Sequence, residues 1–168
     1  VVTIPANTPP GTYTIRAKAD NGDMGYYVTE SNEDNNTRDG NLITVAGSDL
    51  YMTAVSGPES GLVGKTITIT NTVTADPNSG DAPRFFVGIY LHPTTTGSDI
   101  LIGKRFLSGL VAGQSSTDGT VVTIPANTPP GTYTIRAKAD NGDMGYYVTE
   151  SNEDNNTRDA MDLISISN

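Results

Sequence analysis

The sequence predicts an all-β, immunoglobulin-like β-sandwich of about seven strands, on three observations. Short segments alternate apolar and polar residues with the period of two that a half-buried strand requires. Gly and Pro, 18 and 10 of 168 residues, interrupt the chain at short intervals. No segment sustains a helical period. A closed barrel is the rival architecture with the same signature.

Ser48–Ser56 (SDLYMTAVS) reads as a first strand, stopped by Gly57-Pro58. Lys65–Thr74 (KTITITNTVT) carries β-branched residues at nearly every other position and is the clearest strand. Asp76–Ala82 is a turn-rich loop, and Arg84–Leu91 (RFFVGIYL), the most apolar segment, is expected to cross the core. Asp99–Leu107, Gly119–Pro125, Thr132–Ala139 and Met161–Ile166 supply four more strands, with Tyr146–Thr149 as a short extra rung. The Cys–Trp–Cys core of antibody domains is absent.

Residues 1–39 recur letter for letter at 121–159, an offset of 120. The copies then diverge into GNLITVAG and AMDLISISN, both alternating. The reading is a tandem repeat of period 120. Residues 48–168 form a complete sandwich, and residues 1–47 are the last three strands of a preceding, incomplete one. Alone, such a fragment exposes a core face and a sheet edge. Its missing strands are expected from upstream in the same polypeptide or from a neighbouring chain. The chain opens in mid-strand at Val1-Val2-Thr3-Ile4, so its natural start is expected to lie elsewhere.

Composition narrows function. There is no Cys, which removes disulfides, thiolate zinc sites and thiol nucleophiles together. Lys plus Arg number 10 against 19 Asp plus Glu, a formal net charge of −9 that repels phosphate backbones. No apolar run approaches the roughly 18 residues of a membrane span. His92 is the single histidine and makes neither triad nor metal centre, so a surface or capping role is expected. Carboxylates pair only in an acidic loop without an apolar wall to separate their pKa values, which argues against a glycosidase.

That loop holds the strongest polar constellation. Asp140, Asn141 and Asp143 are followed by Glu150 and Glu153, with Asp154, Asn155 and Asn156 beside them. The first copy repeats it as Asp20, Asn21, Asp23, Glu30 and Glu33. Oxygen donors on loops, without His or Cys, suit Ca²⁺. Competing with this is a solvated acidic loop in which Asn-Gly-Asp simply turns the chain. Asn155 and Asn156 read as backbone-bonding residues, and Asp76, Asn78 and Asp81 as an ordinary turn. Asn35 and Asn155 begin Asn-Asn-Thr sequons, usually unused in bacteria. Tyr133 suits a tyrosine corner. With Tyr146 and Tyr147 it also suggests a carbohydrate-stacking platform.

The run GTYTIRAKAD at 131–140, followed by VTESNEDNNT at 148–157, resembles the end of the cell-adhesion-related domain found in bacteria, CARDB. SDLYMTAVSGPES (48–60), VGKTITITNTVTADPNSGDA (63–82), FFVGIYLHP (85–93), LVAGQSS (110–116) and VTIPANTPPGTY (122–133) fit the same order. The likeness spans 48–166, and 1–45 matches the family's last third. An inserted YYVT after the Asn-Gly-Asp turn departs from the pattern. The resemblance implies an immunoglobulin-like fold, an extracellular or cell-surface location, tandem occurrence and an adhesive or spacer role, with no catalytic residues. The functional expectation is a non-catalytic repeat that joins neighbouring copies of itself head-to-tail into a fibre or stalk, with calcium stiffening it. The alternative is an adhesive module for carbohydrate or protein, its repeats adding avidity.

Overall fold

The computed structural model describes all residues except 6–7, 21–24, 26–27 and 143–146. The chain divides into two compact units, Val1–Ala46 and Gly47–Asn168.

The second unit is the sandwich. One sheet has three strands in the order β3 (Leu50–Ser56), β5 (Thr66–Ala75), β8 (Ser115–Thr123). The other has five, ordered β4 (Ser60–Leu62), β10 (Thr157–Ser167), β9 (Gly131–Ala139), β6 (Phe85–Pro93), β7 (Ile100–Leu107). Two separate sheets, rather than one closed ring, decide against the barrel. All pairings are antiparallel except β4 with β10, where Gly61 faces Ile166.

Alternation translates directly into burial. In β9, Tyr133, Ile135, Ala137 and Ala139 face inward and are buried, while the residues between them face out. Opposite them lie Leu50, Met52, Ile69 and Val73 of the three-stranded sheet, and Ile164 and Ile166 of β10 extend the same core. β7 and β8 approach so closely that a Cβ at Gly103 would lie 2.3 Å from Cγ1 of Val122, so a side chain there would force the sheets apart.

The sheets are also joined by a polar pin. Arg105 on β7 donates Nη1 to the Oδ1 of Asn71 on β5 at 3.0 Å and to the Ser116 carbonyl at 3.2 Å, and Nη2 to the Ser116 hydroxyl. Asn71, fully buried, donates its amide to Thr120 Oγ1 at 3.0 Å. Each polar group in the pin thus finds a partner, which burial requires.

The first unit is an antiparallel hairpin of β1 (Gly11–Lys18) and β2 (Thr37–Val45). Its pairing repeats that of β9 and β10: Arg16 opposite Asp39, then a bulge, then Tyr13 opposite Ile43. The second copy carries one more residue in the bulge, so Gly11 pairs with Val45 whereas Gly131 pairs with Ile166. Every residue of β1 is exposed.

Several expectations need correction. The first unit has two strands among the described residues, not three. Val1–Pro5 form none, because their counterparts Val121–Thr123 are held by Thr66–Thr68 of β5 and nothing equivalent flanks them here. β8 begins at Ser115, four residues before the predicted start, and β10 at Thr157. β4 is a strand the sequence reading missed. Tyr147–Thr149 make no rung, Tyr146 lying outside the described residues; only an isolated bridge from Glu150 to Ser48 occurs there. His92 has a partner: its Nδ1 lies 2.6 Å from Asp99, which also binds Arg136, itself paired with Asp159.

Candidate metal centre

The acidic constellation gathers where β9 ends, beside the start of β3. Asp140 leaves the strand with φ +44°, a left-handed conformation that Asp tolerates better than most residues, and Asp20 does the same. This turns the Asp140 side chain inward. Its Oδ2 accepts a 2.7 Å hydrogen bond from Val148 N, which ties the returning loop to the strand end. Its Oδ1 is buried without a hydrogen-bond partner among the described residues, and the residue as a whole is 3% exposed.

Glu150 is fixed by the opposite sheet. One carboxylate oxygen accepts from Leu50 N, the other from Asn156 Nδ2 at 3.1 Å. Ser151 N donates to Ser48 O at 2.9 Å, clamping the loop to the entry of β3. Glu153, exposed, accepts Glu150 N at 3.1 Å and the Tyr147 hydroxyl at 2.9 Å. One oxygen each from Asp140, Glu150 and Glu153 lies within 4.8 Å of the other two.

Three carboxylates this close, two of them withdrawn from water, resist carrying three negative charges. Burial and the neighbouring Glu153 push the Asp140 carboxyl above the usual range. Burial pushes Glu150 up to about 7, against hydrogen bonds that favour its charged form. The Tyr147 hydroxyl is raised by its bond to Glu153. A cation relieves all three at once. The donors are hard oxygens, the unpartnered Asp140 oxygen is already desolvated, and the residues present fit a hard divalent ion.

Of the predicted ligands, the structure brings together Asp140, Glu150 and Glu153. Asn141 is buried at this loop, its Nδ2 without a partner among the described residues. Asp143, Asn21 and Asp23 lie outside the described residues. Asp20, Glu30 and Glu33 do not form an equivalent group among the described residues. Asp20 still accepts Val28 N at 3.0 Å and Glu33 still accepts Glu30 N at 2.9 Å, but among the described residues Glu30 has no counterpart of Leu50 N. Asn155 donates to Asp49 at 2.8 Å and Asn156 to Glu150, so both brace the site through their amides. The sequence reading missed Ser48, Asp49 and Leu50, whose contribution is mainly backbone from about 100 residues away. Asp76 caps Asn78 N at 2.7 Å and Asp81 accepts Ala112 N at 2.9 Å, ordinary loop roles. Tyr133 donates to Pro129 O at 2.7 Å with its ring buried, the geometry of a tyrosine corner.

The CARDB family model matches residues 47–160. A CARDB domain from a Pyrococcus furiosus protein, whose crystal structure was determined in complex with di-metal ions, superposes with a TM-score of 0.50 at 21% identity, over 72% of this chain and 90% of that one. A domain of a Methanosarcina acetivorans protein gives 0.48 at 22% identity over 71% and 91%. A β-glucosidase from Listeria innocua gives 0.43 at 14% identity, over 75% of this chain but 17% of the enzyme. No curated protein matches the chain. Among the described residues, no helix is long and apolar enough to cross a membrane. With the family model covering the sandwich from Gly47 into the start of β10, the chain belongs to the CARDB family.

Proposed function

We propose that this chain is an extracellular structural repeat that joins copies of itself head-to-tail into a fibre or stalk, and that Ca²⁺ at Asp140, Glu150 and Glu153 stiffens each unit. The observation that carries the reading is the letter-for-letter recurrence of residues 1–39 at 121–159. A closing segment reused at a fixed offset belongs to a periodic object, in which each unit contacts its neighbours and one favourable interface propagates. A heterologous contact that does not close gives a filament.

The cation has a mechanical task in this scheme. Asp140 ends β9, Glu150 is bound to the start of β3, and Glu153 lies on the loop between β9 and β10. An ion shared by the three ties both sheets at one end of the sandwich. The di-metal complex of the Pyrococcus furiosus domain supports metal binding within the family. Strand sharing between neighbouring copies accords with the uncovered faces of β1 and β2.

Negative-stain electron microscopy of the purified chain, with calcium and then with excess chelator, tests the reading. End-to-end strings that loosen on chelation are expected. Isolated globules under both conditions would end it and leave a tethered adhesive module in its place.

A further inference from the structure

The same residues meet two fates in this molecule. In β9, Tyr133 is 6% exposed, Ile135 1% and Ala137 0%. Their first-copy counterparts Tyr13 and Ile15 are 37% and 50% exposed, and Ala17 is exposed as well. The β1–β2 hairpin has the same alternation, the same Arg–Asp rung and the same tyrosine bond to a proline carbonyl as β9–β10. It presents a finished inner face with no sheet packed on it in its own unit.

The complete unit shows what such a face receives: the strands β3 to β8, within Gly47–Thr123. The chain's own β3–β8 cannot serve. Val45 occupies the hairpin position of Ile166, which pairs with Gly61 at the far end of β10. Gly47, two residues after Val45, is held at the opposite end, where its carbonyl accepts Gly80 N at 2.7 Å. The two ends are marked by Asn155 on Asp49 and by Ser165 N on Glu59 O. Between Thr157 and Ser165 of β10, which pair with Lys138 and Thr132, six residues of β9 span about 20 Å at the rise of an extended chain. From Val45 to Gly47 the backbone spans at most about 7 Å. Covalent geometry therefore forbids closure within the molecule, even with β9–β10 displaced.

We propose that the β1–β2 face is the closing third of a further sandwich, and that its occupant is a second copy of the segment Gly47–Thr120. Val1–Thr3 repeat Val121–Thr123, the end of β8, so the occupant's Thr120 adjoins Val1. Docking also supplies groups that Glu30 and Asn35 do not meet among the described residues, the backbone N–H and carboxylate that Leu50 and Asp49 offer to Glu150 and Asn155. The inference rests on the repeat-array reading, but filaments and calcium do not enter it.

The test compares the full chain with the same chain preceded by a second copy of its residues 47–120. The new junction, Thr120 to Val1, reproduces the natural Thr120–Val121 junction. Amide hydrogen exchange reports each hairpin. In the full chain β1–β2 amides should exchange close to freely while β9–β10 are protected. In the extended chain β1–β2 protection should rise by at least about 100-fold, toward that of β9–β10. Ile15→Asp in the extended chain should abolish the gain and leave β9–β10 untouched. Exchange of β1–β2 unchanged by the extension, with the second sandwich folded in the same molecule as an internal control, would overturn the proposal. So would full protection of β1–β2 in the unextended chain. A failure to form filaments would remove the fibre reading and leave this result standing.

Discussion

Two hairpins whose sequences are identical as far as Asp39 and Asp159, β1–β2 and β9–β10, differ in almost every property except their pairing. The strand ladder, the bulge, the Arg–Asp rung and the tyrosine corner occur in both, so they follow from the local sequence. Among the described residues, burial, the three-carboxylate group and the wider ion network occur only in the copy that has strands β3–β8 against it. What is encoded locally survives without a partner, and what binds or stabilises does not. Propensity and pairing supply a hairpin, but an isolated hairpin is marginal without a hydrophobic face packed on another layer.

The largest expected effect comes from a matched pair of truncations. Ile135→Ala removes a side chain that is 1% exposed between the sheets and should cost about 2–5 kcal/mol in urea unfolding of the full chain. Ile15→Ala, the same change on the uncovered hairpin, should stay within about 0.5 kcal/mol. Equal costs would mean that both faces are covered and would erase the comparison.

Calcium should separate the copies next. Saturating calcium at about 100 times its dissociation constant adds roughly 2.7 kcal/mol to a domain that binds one ion only when folded. Asp140→Asn keeps an acceptor for Val148 N but removes the charge, and should abolish the calcium-dependent rise in melting temperature. Asp20→Asn should leave that rise intact, because Asp20, Glu30 and Glu33 form no equivalent group among the described residues. A rise that survives Asp140→Asn would remove the metal assignment.

These contrasts mark what the sequence could reveal. Alternation in Thr132–Ala139 and Lys65–Thr74 announced two inner strands and their core faces, because each faces solvent or core by turns. β4 carried no such signal: three residues long, it matters through Gly61, where a Cβ would meet Ile124 2.5 Å away. The start of β8 read as loop because Ser115 and Thr117 sit on an edge strand and pair through hydroxyls, with Thr74 and Thr72 at 2.8 Å each. Three ligand candidates clustered in sequence, yet the clamp that positions Glu150 is the backbone of Leu50 across 100 residues. Arg105 and Asn71 lie on two strands with no local signal linking them, and only the closed sandwich shows them as a pin. Local pattern shows which face is inner; it is silent about which distant backbone completes a polar site.

Tyrosine hydroxyls offer a finer test. Tyr133→Phe deletes the bond to Pro129 O and should cost about 1 kcal/mol, since the hydroxyl belongs to a buried ring and the bond is partly shielded from water. Tyr13→Phe deletes the same 2.7 Å bond on the exposed copy, where water replaces it, and should leave unfolding unchanged. A comparable loss from both would show that the hairpin contributes to the cooperative unit.

Acid should produce the smallest difference. Arg136 holds the Asp159 carboxyl below its ordinary value of 3.8 through a hydrogen bond and an ion pair. A carboxyl whose folded pKa is depressed contributes stability above the unfolded value and loses it as pH falls through the folded one. The loss on going from neutral pH to about pH 3 should be at most about 1 kcal/mol, because the pair is partly exposed and screened. Arg136→Gln should flatten that part of the profile, and salt should do so in part. Arg16 and Asp39 make the same bond, at 2.6 Å, on side chains 64% and 49% exposed. There Asp39 lies low for the same local reason, yet Arg16→Gln should leave the pH profile of cooperative unfolding unaltered. A pair stabilises a fold only where its formation is conditional on that fold, and β1–β2 makes its rung without the sandwich. Urea midpoints of the two variants across this pH range decide the point, and a flattening caused by Arg16→Gln would place the first hairpin inside the cooperative structure.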